Sequence, residues 1–179
     1  MTIAIQAQDK IEVEKSVKTE QVPLSAVESL GAILGADHRV KWYYQEDGTK
    51  KVYEAKFEFN SNNYSVEFDT KGDIYNVEIK VDYDELNSKF IAKLEKKLSQ
   101  LFGDYKIRKI QIEYLGEEED LFELLATQEV DDDLTIQYEI EINAKSEKNR
   151  TLYELIYDSK IKLLSKRKIK LRSTDILDY

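Results

Sequence analysis

The chain has 179 residues and no cysteine, with 36 Asp and Glu against 27 Lys and Arg for a formal charge of −9. That balance opposes binding to a phosphate backbone, and the lack of cysteine excludes thiolate catalysis, disulfides and thiolate-rich zinc sites. Apolar residues make up 41% and aromatics 11%, enough to build a core, and the length suits one domain or two half-sized units.

No apolar run approaches the roughly 20 residues of a membrane-spanning helix. Met1 to Gln8 is small or aliphatic and gives way to charged residues from Asp9. This pattern fits either the end of a secretory signal with a junction near Ala7 or an ordinary N-terminus; export to a periplasm or beyond is the expectation taken. Residues 1–21 read as a tether or signal remnant, with an edge strand as the alternative from Asp9 to Gln21.

Val22 to Gly35 predicts a helix: Pro23 suits its first turn, Ser25 and Glu28 have capping-box spacing, and Gly35 suits its stop. Leu24, Val27, Leu30 and Leu34 would share its apolar face. The period then changes to two. Val40, Trp42 and Tyr44, then Tyr53, Ala55, Phe57 and Phe59, then Tyr64, Val66 and Phe68, then Tyr75, Val77, Ile79 and Val81 predict four strands of an antiparallel sheet. Asp47-Gly48 and Asp69 to Gly72 mark turns.

A second helix is expected from Asp84 to Phe102, ending at Gly103, with Leu86, Phe90, Ile91, Leu94, Leu98, Leu101 and Phe102 as its stripe. Ile110, Ile112 and Tyr114 resume the alternation. Glu117 to Gln128 fits a short acid-started helix or a strand, and the helix is preferred. Strands return at Ile136 to Ile142, Tyr153 to Tyr157 and Ile161 to Leu171, the last rich in Lys and Arg as an edge strand or a basic face would be.

Two stretches lie over one another. Tyr53-Glu54, a polar turn and Tyr64 to Asp69 match Tyr138-Glu139, a longer turn and Tyr153 to Asp158, each after a helix. The expected architecture is therefore α+β, with tandem duplicated units of one helix plus a four-stranded antiparallel sheet, the helices packed on one face. The first unit is set at 22–83 and the second at 84–179, with an insertion near 115–134.

On Val40 to Tyr44, Tyr53 to Phe59, Tyr64 to Gly72 and the helix leading into Tyr105 to Ile110, the chain resembles the PepSY-like proteins with the fold of β-lactamase inhibitor protein. The resemblance spans about Pro23 to Leu171, and Ser159 to Ile161 depart from it where the first copy has Gly72. It implies an exported, non-catalytic domain that binds or inhibits another protein.

Catalysis has little to work with. His38 is the one histidine, best read as structural, and no phosphate-binding loop, nucleophile elbow or paired-His metal motif is present. No catalytic, cofactor-binding or metal-ligating residue is assigned and no cofactor is expected. Glu117 to Asp120 and Asp131 to Asp133 carry an alternative, a calcium- or small-ligand-binding accessory domain, although acids at a helix start and in loops account for them without a ligand. A purely structural domain is a third reading. Period-two geometry gathers Arg39, Lys41, Tyr43, Glu54, Lys56, Glu58, Glu78 and Lys80 on the outer sheet face, a mixed-charge surface with an aromatic anchor suited to an unidentified protein partner.

Overall fold

In a computed structural model, residues 9–10, 12–35, 37–48, 50–146 and 149–169 are described. The cue at Met1 to Gln8 and the basic residues Lys170 and Arg172 lie outside them. The strands are β1 (Asp9–Lys10), β2 (Glu12–Val17), β3 (Lys41–Asp47), β4 (Lys50–Phe59), β5 (Asn62–Phe68), β6 (Ile74–Lys80), β7 (Tyr105–Leu115), β8 (Thr135–Ser146), β9 (Asn149–Asp158) and β10 (Leu163–Ile169). The α-helices are α1 (Leu24–Leu34), α2 (Ser88–Leu101) and α3 (Glu118–Thr127). The protein is α+β; the pairings along β2 to β6 and along β8 to β10 are antiparallel, and β1 pairs with β10 in parallel.

The chain forms two compact units. One comprises residues 12–80 and 113–136, and the other residues 81–112 and 137–169 together with β1. This division differs from the one read in the sequence. The segment expected as an insertion in the second unit, with α3 in it, belongs to the first, where α3 packs on β6. Residues 12–17 form a strand on β3, so the edge-strand alternative describes them.

In the first unit the strand order is β6-β5-β4-β3-β2. Two-residue turns set its register. Phe59 pairs with Asn62 across Asn60 and Ser61, both with positive φ (48° and 67°), as a turn matching the sheet's right-handed twist requires. Trp42, Ala55, Phe57, Tyr64, Val66, Phe68 and Val77 are buried, as the alternation predicts. The fourth strand departs from it. Glu67 pairs with Asn76 but Phe68 pairs with Ile74, so Tyr75 is extra, is 48% exposed, and leaves Ile74 in the core.

Helix α1 also differs from expectation. Ser25 does not cap it; its hydroxyl donates to the Lys71 carbonyl at 2.9 Å, while Pro23 stands at the N-cap. The buried residues are Ala26 and Leu30, and Leu24 is 68% exposed. Ser25 thus ties α1 to the β5–β6 turn, while Leu30 of the predicted stripe stays in the core.

In the second unit the order is β1-β10-β9-β8-β7. Helix α2 starts four residues later than predicted, because Asn87 caps it by accepting from the Lys89 N–H at 2.9 Å and Tyr83–Glu85 forms a separate 3-10 turn. Leu94, Leu98 and Phe102 join Ile110, Ile140, Ile142, Leu155, Tyr157 and Ile161 in one core. Leu101, placed on the stripe by sequence, is 40% exposed.

The two units repeat one local device. Asp69 N–H donates to Asp73 O, Gly72 N–H donates to Asp69 O, and Asp69 Oδ1 accepts from the N–H groups of Lys71, Gly72 and Asp73. Asp158 N–H donates to Lys162 O, Ile161 N–H to Asp158 O, and Asp158 Oδ1 accepts from Lys160 and Lys162. In both turns the residue three after the aspartate has positive φ, 95° at Gly72 and 61° at Ile161. Each turn leads into the same bulge, since Tyr157 pairs with Leu163 and Ile156 with Ser165, leaving Leu164 extra and 42% exposed. A branched residue in the left-handed region costs about 1–2 kcal/mol, which the burial of the Ile161 side chain, worth about 1.5–3 kcal/mol, offsets.

Two outcomes are expected. A Cβ on Gly72 would overlap Ser25 Oγ and lie 2.9 Å from Pro23 Cβ and 3.0 Å from the Ala26 nitrogen, at a φ of 95°. Gly72→Ala therefore destabilises by about 2–4 kcal/mol, read as a lowered urea midpoint. The Tyr157 hydroxyl is buried without a hydrogen-bond partner among the described residues, and burial, with Tyr105 nearby, pushes its pKa up to about 12. Above pH 10 the unfolded phenol ionises first, so stability drains as pH rises from 10.0 to about 12. Tyr157→Phe lowers neutral-pH stability by no more than about 1 kcal/mol and removes that alkaline loss; a neutral-pH loss above about 2 kcal/mol would show that the hydroxyl is satisfied after all.

Candidate functional site

Strand parity puts Tyr43, Gln45, Glu54, Lys56, Ser65, Glu67, Asn76 and Glu78 on one side of β3–β6, opposite the aromatic core. One row of directly paired residues crosses it: Tyr43 faces Glu54, Glu54 faces Glu67, and Glu67 faces Asn76. The next row runs Lys41, Lys56, Ser65, Glu78.

Of the residues expected to line an open polar surface, Arg39, Lys41, Glu58 and Lys80 are exposed and Tyr43 and Lys56 are half-buried. Glu54 and Glu78 correct the expectation, being only 5% and 9% exposed. A wet face does not describe this one. Neighbouring side chains fold over its centre, and Ser65, Glu67 and Asn76 are buried there too.

Buried carboxylates must be neutralised in place. Glu54 accepts hydrogen bonds from the Ser65 hydroxyl and the Gln45 amide, and Lys56 Nζ lies 3.0 Å from its Oε2. Lys56 also donates to Glu14 on β2 at 2.8 Å and sits over the Tyr43 ring, 4.6 Å from its centroid. A second set has the same composition: Lys50 donates to Glu67 at 2.6 Å and lies 4.2 Å above the Tyr75 ring. Asn76 Nδ2 donates to Glu67 and Glu113, while its Oδ1 is buried without a partner. Burial works to lower the Lys56 pKa, but Glu54 and Glu14 outweigh it and hold the ammonium above its ordinary range; Lys50 behaves alike beside Glu67. Sequence reasoning missed Ser65, Gln45, Glu67 and Asn76, although Gln45 and Asn76 lie two residues from Tyr43 and Glu78, and Ser65 and Glu67 lie directly across from Lys56 and Glu54.

The remaining candidates separate. His38 Nε2 lies 2.7 Å from the Glu58 carbonyl, and its ring meets Phe57 and Phe59 edge-on, a structural role. Glu117 stands at the N-cap position of α3 without a side-chain cap bond and Glu118 to Asp120 occupy its first turn, so the helical reading of that segment holds. Asp131 closes its own turn by accepting from the Asp133 N–H at 2.9 Å. Among the described residues no three His, Asp or Glu side chains gather as a metal site would require.

No protein-family model matches the chain, and no curated protein matches it in sequence. In three dimensions it is similar to a Bacteroides ovatus protein of the DUF2874 family, at 17% identity and a TM-score of 0.53 over 88% of this chain and 98% of that one. A Bacteroides eggerthii protein provisionally placed in the periplasm matches at 14% identity and a TM-score of 0.53, over 82% and 88% of the two chains. At these identities the likeness establishes the fold alone. Among the described residues no helix is long and apolar enough to cross a membrane.

Lys56→Met leaves Glu54 buried without its cation and should cost about 2–3 kcal/mol, much of it recovered by adding Glu54→Gln. Because the Lys56 pKa is raised in the folded state, the pair's contribution is fully present below 10.5 and is lost as pH rises through the higher folded value. Urea midpoints of the single and double variants between neutrality and alkaline pH check both statements.

Proposed function

We propose that this chain is a non-catalytic, exported binding module that recognises another protein through the polar face of β3–β6. The observation carrying this reading is the Tyr43–Lys56–Glu54 arrangement. Lys56 is held by two carboxylates over an aromatic ring, so a cation and a tyrosine stand ready in fixed positions. Fixing such groups beforehand lowers the entropy lost when a partner docks, and tyrosines commonly anchor protein interfaces.

The same reading takes the two units as duplicated copies of a helix-plus-sheet module of the PepSY-like and β-lactamase-inhibitor-protein type. The shared turn and bulge at Asp69 to Asn76 and Asp158 to Ser165 support duplication. Helices covering the apolar side would leave the polar side for a partner, and the buried residues of α1, α2 and α3 are all apolar. The provisional periplasmic placement of the Bacteroides eggerthii protein accords with export.

The test is capture from an envelope extract of the source organism by wild type and by Arg39→Ala/Lys41→Ala/Tyr43→Ala. These substitutions leave the Lys56–Glu54 pair intact and should preserve the fold. A specific protein retained by wild type and reduced at least about tenfold by the variant is expected. Equal retention by a folded variant would remove this face from the function.

A further inference from the structure

We propose that the basic end of this face takes an acidic segment of the partner protein, an inference that rests on the recognition reading and names the chemistry recognised. In a chain of net charge −9, most cations would be expected to find an acid. Lys50 and Lys56 do. Arg39, Lys41 and Lys80 are exposed and have no ion-pair partner among the described residues.

Register gathers them at one end of the strands. Lys41 stands directly opposite Lys56, Arg39 lies two residues before β3, and Lys80 pairs with Asn63, which in turn faces Glu58. Like charges directly across a ladder repel. The Lys41–Lys56 pair is tolerated because Glu54 and Glu14 already engage Lys56, leaving Lys41 uncompensated. Two of the three Lys56 N–H groups are directed at those carboxylates, so one donor remains. Three exposed cations without ion pairs among the described residues, a partly engaged lysine and the half-buried Tyr43 ring outweigh the exposed Glu58 and the buried Glu78 beside them.

A run of carboxylates on a protein segment answers that pattern. A polyphosphate backbone answers it less well, because its higher charge density meets the repulsion of the remaining acidic chain.

The experiment titrates the isotope-labelled full chain with an oligoglutamate peptide at low salt and follows backbone amide shifts. Matched oligolysine and oligothymidylate form the comparison arms. Shifts confined to the neighbourhood of Arg39, Lys41, Tyr43, Lys56 and Lys80 are expected, with affinity falling at least about tenfold on going to 0.2 M salt. Arg39→Glu/Lys41→Glu/Lys80→Glu should lose the interaction while keeping the wild-type spectrum elsewhere.

Shifts located elsewhere, undiminished binding by the charge-reversed variant, or equal or tighter binding of oligolysine or oligothymidylate would overturn the proposal. If oligoglutamate fails while the envelope partner is still lost on truncating Arg39, Lys41 and Tyr43, recognition by this face stands and its acidic chemistry falls. If oligoglutamate binds here while that partner is retained, the acidic site stands and the recognition reading falls.

Discussion

A glutamate buried on a sheet face sets the terms for everything around it. Glu54 sits on a central strand, in a row whose next member is another buried carboxylate, Glu67. Two like charges side by side and out of water are tolerable only if each has its own counter-charge and donors. Lys56, Ser65 and Gln45 supply them for Glu54, and Lys50 and Asn76 for Glu67. Each lysine is thereby pulled down onto a tyrosine ring, which removes the rotamer freedom a surface lysine normally keeps.

The second unit meets the same demand with different residues. Glu154 is 1% exposed and accepts two hydrogen bonds from Arg167, at 3.0 and 2.7 Å. Lys109 lies 3.2 Å from Glu139 and 2.6 Å from Glu141. A planar guanidinium fits one deeply buried carboxylate through two N–H groups, whereas an ammonium shares itself between two. Similar divergence marks the turns, where Gly72 adopts the left-handed region freely and lies against α1, and Ile161 adopts it at a cost that core burial offsets.

Elements governed by a regular period were legible in the sequence. The strands from Lys41 to Lys80, the core half of α2 and the acid-started α3 follow from spacing, because apolar burial dominates their placement. Elements placed by a single specific contact were not. Ser25 bonds the Lys71 carbonyl instead of capping α1, and the bulge at Tyr75 shifts β6 by one residue. Neither has a periodic signature. Of the candidate site, parity found the correct side of the sheet but assigned it to solvent, since alternation reports which side a residue takes and not whether its neighbours cover it. Polar residues on that side were accordingly read as wet, and the burial of Glu54 and Glu78 went unseen.

That burial changes what the face can do. Glutamates free in solvent would present mobile negative charge, and their lysines would be spread among water and passing ions. Beneath Lys56 and Lys50, Glu54 and Glu67 instead hold those cations over the Tyr43 and Tyr75 rings. The accessible layer around Glu54 accordingly includes Tyr43, Lys56 and Lys41, with Glu54 and Glu67 below. On the proposed reading, stability and recognition draw on one network. A substitution of the paired Glu54 or Lys56 alters both, whereas Arg39, Lys41 and Lys80 at its border leave the fold alone, and the separation of those two effects follows from which side chains are paired.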